Sequence, residues 1–185
     1  MNVIDTNIEG VKIIEPKVFG DSRGYFFESW NKGKFSEAGI HADFVQDNES
    51  FSSFGVLRGL HYQLPPYSQA KLVRVIQGTV LDVAVDIRTD SPSFGKHVSV
   101  ELSGENKRQF FLPRGMAHGF VVLSETAVFS YKCDNIYAPT HEASIRFDDP
   151  ELAIDWLVPQ EKFLLSPKDL NAPLFKNAVV CENYC

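Results

Sequence analysis

The stretch "VLDVAVDI", residues 80–87, decides how this chain is read. Leu81, Val83, Val85 and Ile87 alternate with Asp82, Ala84 and Asp86. Successive side chains on a strand point to opposite faces, so a period of two predicts a half-buried β-strand. "HVSVEL", residues 97–102, repeats the pattern, with Val98, Val100 and Leu102 set against His97, Ser99 and Glu101. Working outward, further short strands are predicted in "VKIIEPKVF" (11–19), "ADFVQDN" (42–48), "GVLRGLHYQ" (55–63), "AKLVRVIQG" (70–78), "RQFFLP" (108–113), "HGFVVLS" (118–124) and "AVFSYKCD" (127–134). Gln77-Gly78, Ser103-Gly104 and Ser124-Glu125 mark turns between several of them. Helical signals are few: "NKGKFSEAG" (31–39), stopped at Gly39, and "PQEKFLLSPKD" (159–169), after Pro159. Many short strands with few helices predict an all-β chain, a jelly-roll β-sandwich with short peripheral helices.

The 185 residues fit one domain, 1–185, with no internal repeat or linker. Eighteen basic against twenty-four acidic residues leave a net charge of −6. Nucleic-acid binding by counterion release needs a basic face, so that class is set aside. An anionic small ligand would need a local cluster of cations working against the overall field. Cys133, Cys181 and Cys185 are too few and too oddly spaced for a disulfide framework, and zinc at Cys181 and Cys185 would need two more ligands. They read as reduced thiols. No signal-peptide pattern opens the chain and no stretch approaches the length of a membrane span, so a cytoplasmic location is expected.

Arg58, His61 and Lys71 stand among apolar residues in "SSFGVLRGLHYQLPPYSQAKLVRV" (52–75). On a regular strand Arg58 and His61 point to opposite faces, because three residues is an odd step. For them to share a site the strand must be irregular, and Gly59 is the position for a bulge. Taken alone, His61 reads as a satisfied core histidine and Lys71 as a strand-end charge. Tyr131 reads as an amphipathic strand residue, and Asp169 as a turn or cap residue.

"FLPRGMAHGF" (111–120) is more specific. Pro113, Gly115 and His118 follow a P-x-G-x-x-H spacing that resembles the second motif of the cupin jelly rolls, where the histidine often holds a metal. The first cupin motif carries H-x-H and then a glutamate; here it reads "HYQLPPYSQAK", with Gln63 in place of one histidine, no acidic residue, and Lys71 nearby. Divalent metals favour imidazoles and carboxylates over an ammonium, so the stretch resembles a cupin that has lost its metal site. No metal and no cofactor is expected.

Six motifs in order, "FGDSRGYFFESW", "FVQDN", "VLRGLHYQ", "LPRGMAHGF", "YKCDNIYAP" and "LSPKD", resemble the dTDP-4-dehydrorhamnose 3,5-epimerase family over nearly the whole chain. The resemblance implies a cupin-like fold and a dTDP-4-keto-6-deoxy sugar as substrate. It further implies a homodimer in which the N-terminal segment helps complete the neighbouring site. It makes His61 the base, Asp169 its orienting carboxylate, Tyr131 the acid on the opposite face and Lys71 the cation beside the sugar oxygens. It places Arg23, Glu28, Gln46, Asp47, Asn48, Arg58, His118, Glu142 and Lys168 at nucleotide-sugar contacts. Phe19 and Phe26 become apolar walls, and Tyr137 the ring that stacks on thymine.

The chemistry suits these residue types. Carbons 3 and 5 flank the 4-keto group, so their hydrogens are weakly acidic and the resulting charge spreads onto the ketone oxygen. A carboxylate-held histidine is a base suited to neutral pH, and a fixed cation stabilises the enolate. A related single-centre epimerase or keto-isomerase remains an alternative at this level. So do a metal cupin oxygenase and a non-catalytic sugar-binding cupin.

Overall fold

The computed structural model describes residues 1–184; Cys185 lies outside the described residues. Thirteen strands follow one another: β1 Asn2–Asp5, β2 Lys12–Glu15, β3 Phe19–Asp21, β4 Gly24–Phe26, β5 Gln46–Ser53, β6 Leu57–Gln63, β7 Lys71–Gln77, β8 Thr79–Asp86, β9 His97–Ser103, β10 Gln109–Leu112, β11 Met116–Val122, β12 Thr126–Cys133 and β13 Glu142–Ser144. Among the described residues there are two short α-helices, α1 Lys32–Glu37 between β4 and β5 and α2 Pro167–Leu170 after β13. The strands form two antiparallel sheets, in the orders β1-β2-β10-β7-β12-β5 and β13-β6-β11-β8-β9, with β3 and β4 as a separate hairpin. This is the all-β, cupin-like sandwich expected. None of the helices among the described residues is long and apolar enough to cross a membrane.

Three apolar layers explain the burial. Between the sheets, Val73, Val75, Phe110 and Phe129 of the six-stranded sheet meet Val80, Ala84, Leu102 and Phe120 of the five-stranded one. The outer face of the six-stranded sheet is covered by α1, where Phe35 packs near Leu72 and Phe111. The outer face of the five-stranded sheet is covered by the C-terminal part of the chain: Leu81, Val83, Val85 and Ile87 pack with Phe147, Trp156 and Phe175.

This last layer corrects the reading of β8. Its alternation is real, but both faces are covered, and every residue from Val80 to Asp86 is buried. β9, at the sheet edge, keeps the half-buried pattern. The strand expected over 42–48 starts only at Gln46, and the one over 11–19 divides into β2 and β3. The helix expected over 159–169 also divides. A 3-10 turn, Gln160–Lys162, is followed by extended backbone at Leu164, which bridges to Val56. Helix α2 then restarts with Ser166 as its N-cap and Pro167 in its first turn. Proline lacks a backbone N–H and disfavours helix before it, so one continuous helix cannot run through Pro167.

Candidate active site

The open end of the sandwich holds two adjoining cavities. The outer one, about 340 Å³, is lined by Gln46, Asn48, Gln63, Cys133, Tyr137 and Glu142, among others. The inner one, about 200 Å³, is lined by Ser50, Arg58, His118, Phe120 and Phe129, among others. His61, Lys71 and Tyr131 line both.

His61 reaches the cavities from β6 in the five-stranded sheet; Lys71 and Tyr131 reach them from β7 and β12 in the six-stranded one. A ligand between them therefore meets the imidazole on one side and the phenol and ammonium on the other. The irregularity that joins Arg58 to His61 is present. Against β11, His118 pairs with His61 and Phe120 with Arg58, so β6 carries one residue more than its partner between these points. Gly59 sits at that bulge with φ +139, and a Cβ there would stand 2.5 Å from Gly119 Cα. Only glycine meets both the backbone angle and the close approach.

Behind His61 lies Asp169, 3% exposed, with Oδ1 2.6 Å from His61 Nε2. Ser166 Oγ donates to the other carboxylate oxygen at 2.6 Å and also caps α2. Burial opposes ionisation of Asp169, but the hydrogen bonds from His61 and Ser166 outweigh it and hold the carboxyl below its usual range. The turn residue is thus an anchored carboxylate, and α2 exists to place it.

Opposite, burial raises the Tyr131 hydroxyl above the ordinary phenol value, which keeps it protonated. Burial lowers the Lys71 ammonium, while Cys133, Asp82 and Glu142 pull the other way. Neither side-chain end has a hydrogen-bond or ion-pair partner among the described residues. Cys133, a free thiol, is buried beside them and its ionisation is pushed up to about 11.

The mouth of the outer cavity is tied by polar contacts. Tyr137 donates from its hydroxyl to Glu142 at 2.8 Å, and Lys168 forms an ion pair with the same carboxylate. Gln46 accepts from the Tyr137 backbone N–H at 2.9 Å and donates to Asn48 at 3.1 Å. Arg58 reaches across to β5, donating to Ser52 Oγ at 3.2 Å. Gln63 has both ends of its amide engaged: it donates to Tyr67 and Ile136 carbonyls and accepts from Ala138 N–H. It fastens the loop around Tyr137. Among the described residues no group of three or more His, Cys, Asp or Glu side chains is placed to hold a metal ion.

Some expected contact residues lie elsewhere. Asp47 alternates with Gln46 and Asn48 along β5 and faces the other side, paired with Lys132 beside a separate small pocket. Strand parity puts it out of reach of the cavity that Gln46 and Asn48 line. Phe19, Arg23 and Phe26 sit on the β3–β4 hairpin, with Phe26 71% exposed and Arg23 held by Asp21. Glu28 pairs with Lys34 next to α1. None of these four lines either cavity of its own chain. Two residues of the site received no functional role from the sequence. Ser166 carried the signal of a cap before Pro167. Asp82 carried a plainer one, an acid in the middle of an apolar strand; both its oxygens lie 3.0 Å from His118 Nε2, and it is 0% exposed.

Comparisons with known proteins agree with this geometry. The family model described as dTDP-4-dehydrorhamnose 3,5-epimerase matches residues 5–177. The chain is 56% identical over 179 residues to the dTDP-4-dehydrorhamnose 3,5-epimerase of Shigella flexneri, covering 96% of this chain and 98% of that one. The crystal structure of the enzyme of that name from Elizabethkingia anophelis NUHP1 superposes with a TM-score of 0.92 at 57% identity, covering 96% and 97% of the two chains. A dTDP-6-deoxy-D-glucose-3,5-epimerase from Legionella pneumophila Philadelphia 1, in complex with dTDP-4-keto-L-rhamnose, gives a TM-score of 0.92 at 55% identity over 95% and 93%. With a histidine–carboxylate pair and a tyrosine facing one another across the cavity, and with these matches over nearly its full length, the chain belongs to the dTDP-4-dehydrorhamnose 3,5-epimerase family.

Proposed function

We propose that this chain inverts carbons 3 and 5 of dTDP-4-dehydro-6-deoxy-glucose to give dTDP-4-dehydro-L-rhamnose, with His61 as base and Tyr131 as acid. The observation that carries the assignment is that the two groups stand on opposite sheets across one cavity. Inversion requires a proton to leave one face of the ring and another to arrive on the opposite face. His61 takes the proton from the carbon next to the ketone, with Asp169 holding the imidazole and stabilising its positive charge. The electron pair moves onto the ketone oxygen as an enolate. Lys71 is the preorganised cation nearest that charge. Tyr131 gives its proton to the other face and is left as a phenolate; His61 then releases the proton it took and the phenolate regains one, through solvent, so that both groups are reset before the second centre reacts. Arg58 and Lys168 supply local positive charge for the diphosphate of an anionic substrate in an acidic protein. Tyr137 at the mouth offers a ring to the thymine.

The β3–β4 hairpin supports a homodimer. Phe19, Tyr25 and Phe26 are 54%, 59% and 71% exposed on it, an apolar surface that a lone chain would leave in water. In this reading the hairpin of one copy carries Phe19, Arg23 and Phe26, and with them Glu28, to the cavity of the other. Light scattering that finds only a 20.8 kDa species at micromolar concentration contradicts it.

Incubation with dTDP-4-dehydro-6-deoxy-glucose, followed by NMR of the product, tests the reaction. Inversion at both carbons is expected. A product inverted at one carbon, or an isomerised ketone, assigns the alternative activity.

A further inference from the structure

His118 and Asp82 form a second histidine–carboxylate pair, one strand away from the first. His118 on β11 is the direct register neighbour of His61 on β6, and Asp82 on β8 is the neighbour of Phe120. The pair lies on the same sheet as the base, with His118 in the wall of the inner cavity and Asp82 beside it on the face between the sheets. Both side chains are more than nine-tenths buried. A buried carboxylate of this kind needs a reason, because burial without compensation is costly.

The geometry supplies one. Both oxygens of Asp82 lie at the same 3.0 Å from His118 Nε2. An N–H aimed between two equivalent carboxylate oxygens gives that symmetry, whereas a protonated carboxyl donating to the ring would favour one oxygen. In that arrangement the proton sits on Nε2; burial raises the Asp82 carboxyl above its usual range, opposed by the charge and hydrogen bond of His118 and by Lys71. Burial drives His118 towards its neutral form and outweighs the charge and hydrogen bond of Asp82, which favour the imidazolium; Lys71 and His61 nearby act with burial. A neutral imidazole with its proton on Nε2 has a lone pair on Nδ1. That nitrogen has no hydrogen-bond partner among the described residues, and His118 lines the inner cavity that His61, Lys71 and Tyr131 share with the outer one.

We infer that Asp82 is a positioning residue that fixes His118 as a hydrogen-bond acceptor, with Nδ1 receiving a hydroxyl hydrogen of the bound sugar. His118 is then no anion-binding cation and takes no part in proton transfer. It holds a sugar hydroxyl on the face from which His61 attacks, and so sets the distance between the base and the carbon it deprotonates. A sugar lacking that hydroxyl would leave a lone pair buried without a donor. This rests on the epimerase reading for the identity of the ligand, but the tautomer is a property of the free protein.

The test is a long-range nitrogen–proton correlation spectrum of the full chain with ¹⁵N-labelled histidine, His118 being assigned by loss of its signals in His118→Gln. At neutral pH the account requires a protonated Nε2 and a lone-pair Nδ1 for His118. Asp82→Asn replaces the acceptor with an amide that can donate to Nε2, and should move the proton to Nδ1. In that variant kcat/KM on the keto sugar should fall by about ten- to hundredfold, the loss from a mismatched buried hydrogen bond, while binding of dTDP alone is unchanged. A wild-type spectrum with a proton on Nδ1, as the other tautomer or as imidazolium, overturns the inference even if Asp82→Asn does not fold. An Asp82→Asn variant with the proton moved and kcat/KM intact also overturns it. If the wild-type protein turns over no dTDP-keto sugar, the epimerase reading fails, and the tautomer result still stands or falls on the spectrum alone.

Discussion

On the wall formed by β6 and β11, both histidines are tied to carboxylates before any ligand arrives, His61 to Asp169 and His118 to Asp82. On the wall formed by β7 and β12, Lys71 and Tyr131 face the same space with no partner among the described residues. The difference is one of preparation. A paired imidazole is locked in orientation and tautomer, which suits a group that must accept a proton at a fixed point. An unpaired ammonium or phenol keeps its bonding capacity for the substrate, at the cost of partial burial that nearby charges offset only in part. Changes on the paired wall should therefore act through geometry. Changes on the unpaired wall should set activity against stability.

The largest effect is expected at the base. His61→Ala should slow epimerisation by about 10⁴-fold, the upper end for general base catalysis, with dTDP still bound. An NMR time course with a parallel binding titration measures both, and near wild-type turnover would remove the paired wall from the chemistry.

Lys71→Met comes next and separates the walls most sharply. Loss of one preorganised charge should lower kcat/KM by about 10²- to 10³-fold. Removing a half-buried ammonium without a hydrogen-bond partner should also raise stability by about 1 kcal/mol in thermal or denaturant unfolding. The pH dependence has a definite sign. Burial depresses the Lys71 ammonium, so between its depressed value and the ordinary lysine value the unfolded chain holds more of this proton. Stability contributed by this group thus rises with pH across that window, and the rise disappears in Lys71→Met. Activity should fall across the same window as the ammonium is lost, before Tyr131 ionises, since burial raises the phenol. A Lys71→Met protein less stable than wild type would show that the lysine is structurally paired after all.

Asp169→Asn should reduce turnover by about ten- to hundredfold, the loss of one charge-assisted hydrogen bond to the base. Its carboxyl is held down by hydrogen bonds from His61 and Ser166 against the opposing effect of burial. Its stabilisation is present above the ordinary aspartate value and is lost as pH falls through the depressed one, so acid unfolding of the variant should lack that component. Ser166→Ala should do least. It removes a helix cap and one contact to Asp169, costing about 1 kcal/mol of stability and a few-fold in rate. A Ser166→Ala protein as slow as Asp169→Asn would mean that the serine, rather than the carboxylate, sets the imidazole.

The same two walls show what a single sequence displays. Period-two alternation revealed the strands, and the odd step from Arg58 to His61 demanded the bulge that Gly59 provides. Burial of both faces of β8 was not visible there, because its cover comes from Phe147, Trp156 and Phe175, some sixty to ninety residues further along the chain. With that face covered, Asp82 lies on the other one, between the sheets with Val80 and Ala84. Asp47 was a different case: alternation with Gln46 and Asn48 already separates it from them, and the motif match overrode that parity. Phe19, Arg23, Phe26 and Glu28 mark the limit of a single copy. Among the described residues of one chain they line neither cavity, so the contact role proposed for them requires a second copy.

Solvent deuterium tests the opposite-wall account most directly. In deuterated water the wild-type protein should place deuterium at carbons 3 and 5 of the product, since each centre loses a proton to His61 and regains one from Tyr131. Tyr131→Phe should keep slow exchange with retained configuration, followed over long times, while inversion falls at one carbon or both, because the base still forms the enolate and only the opposite-face donor is gone. If Tyr131→Phe inverts both carbons at the wild-type rate while binding dTDP normally, the two walls do not divide the proton transfers between them.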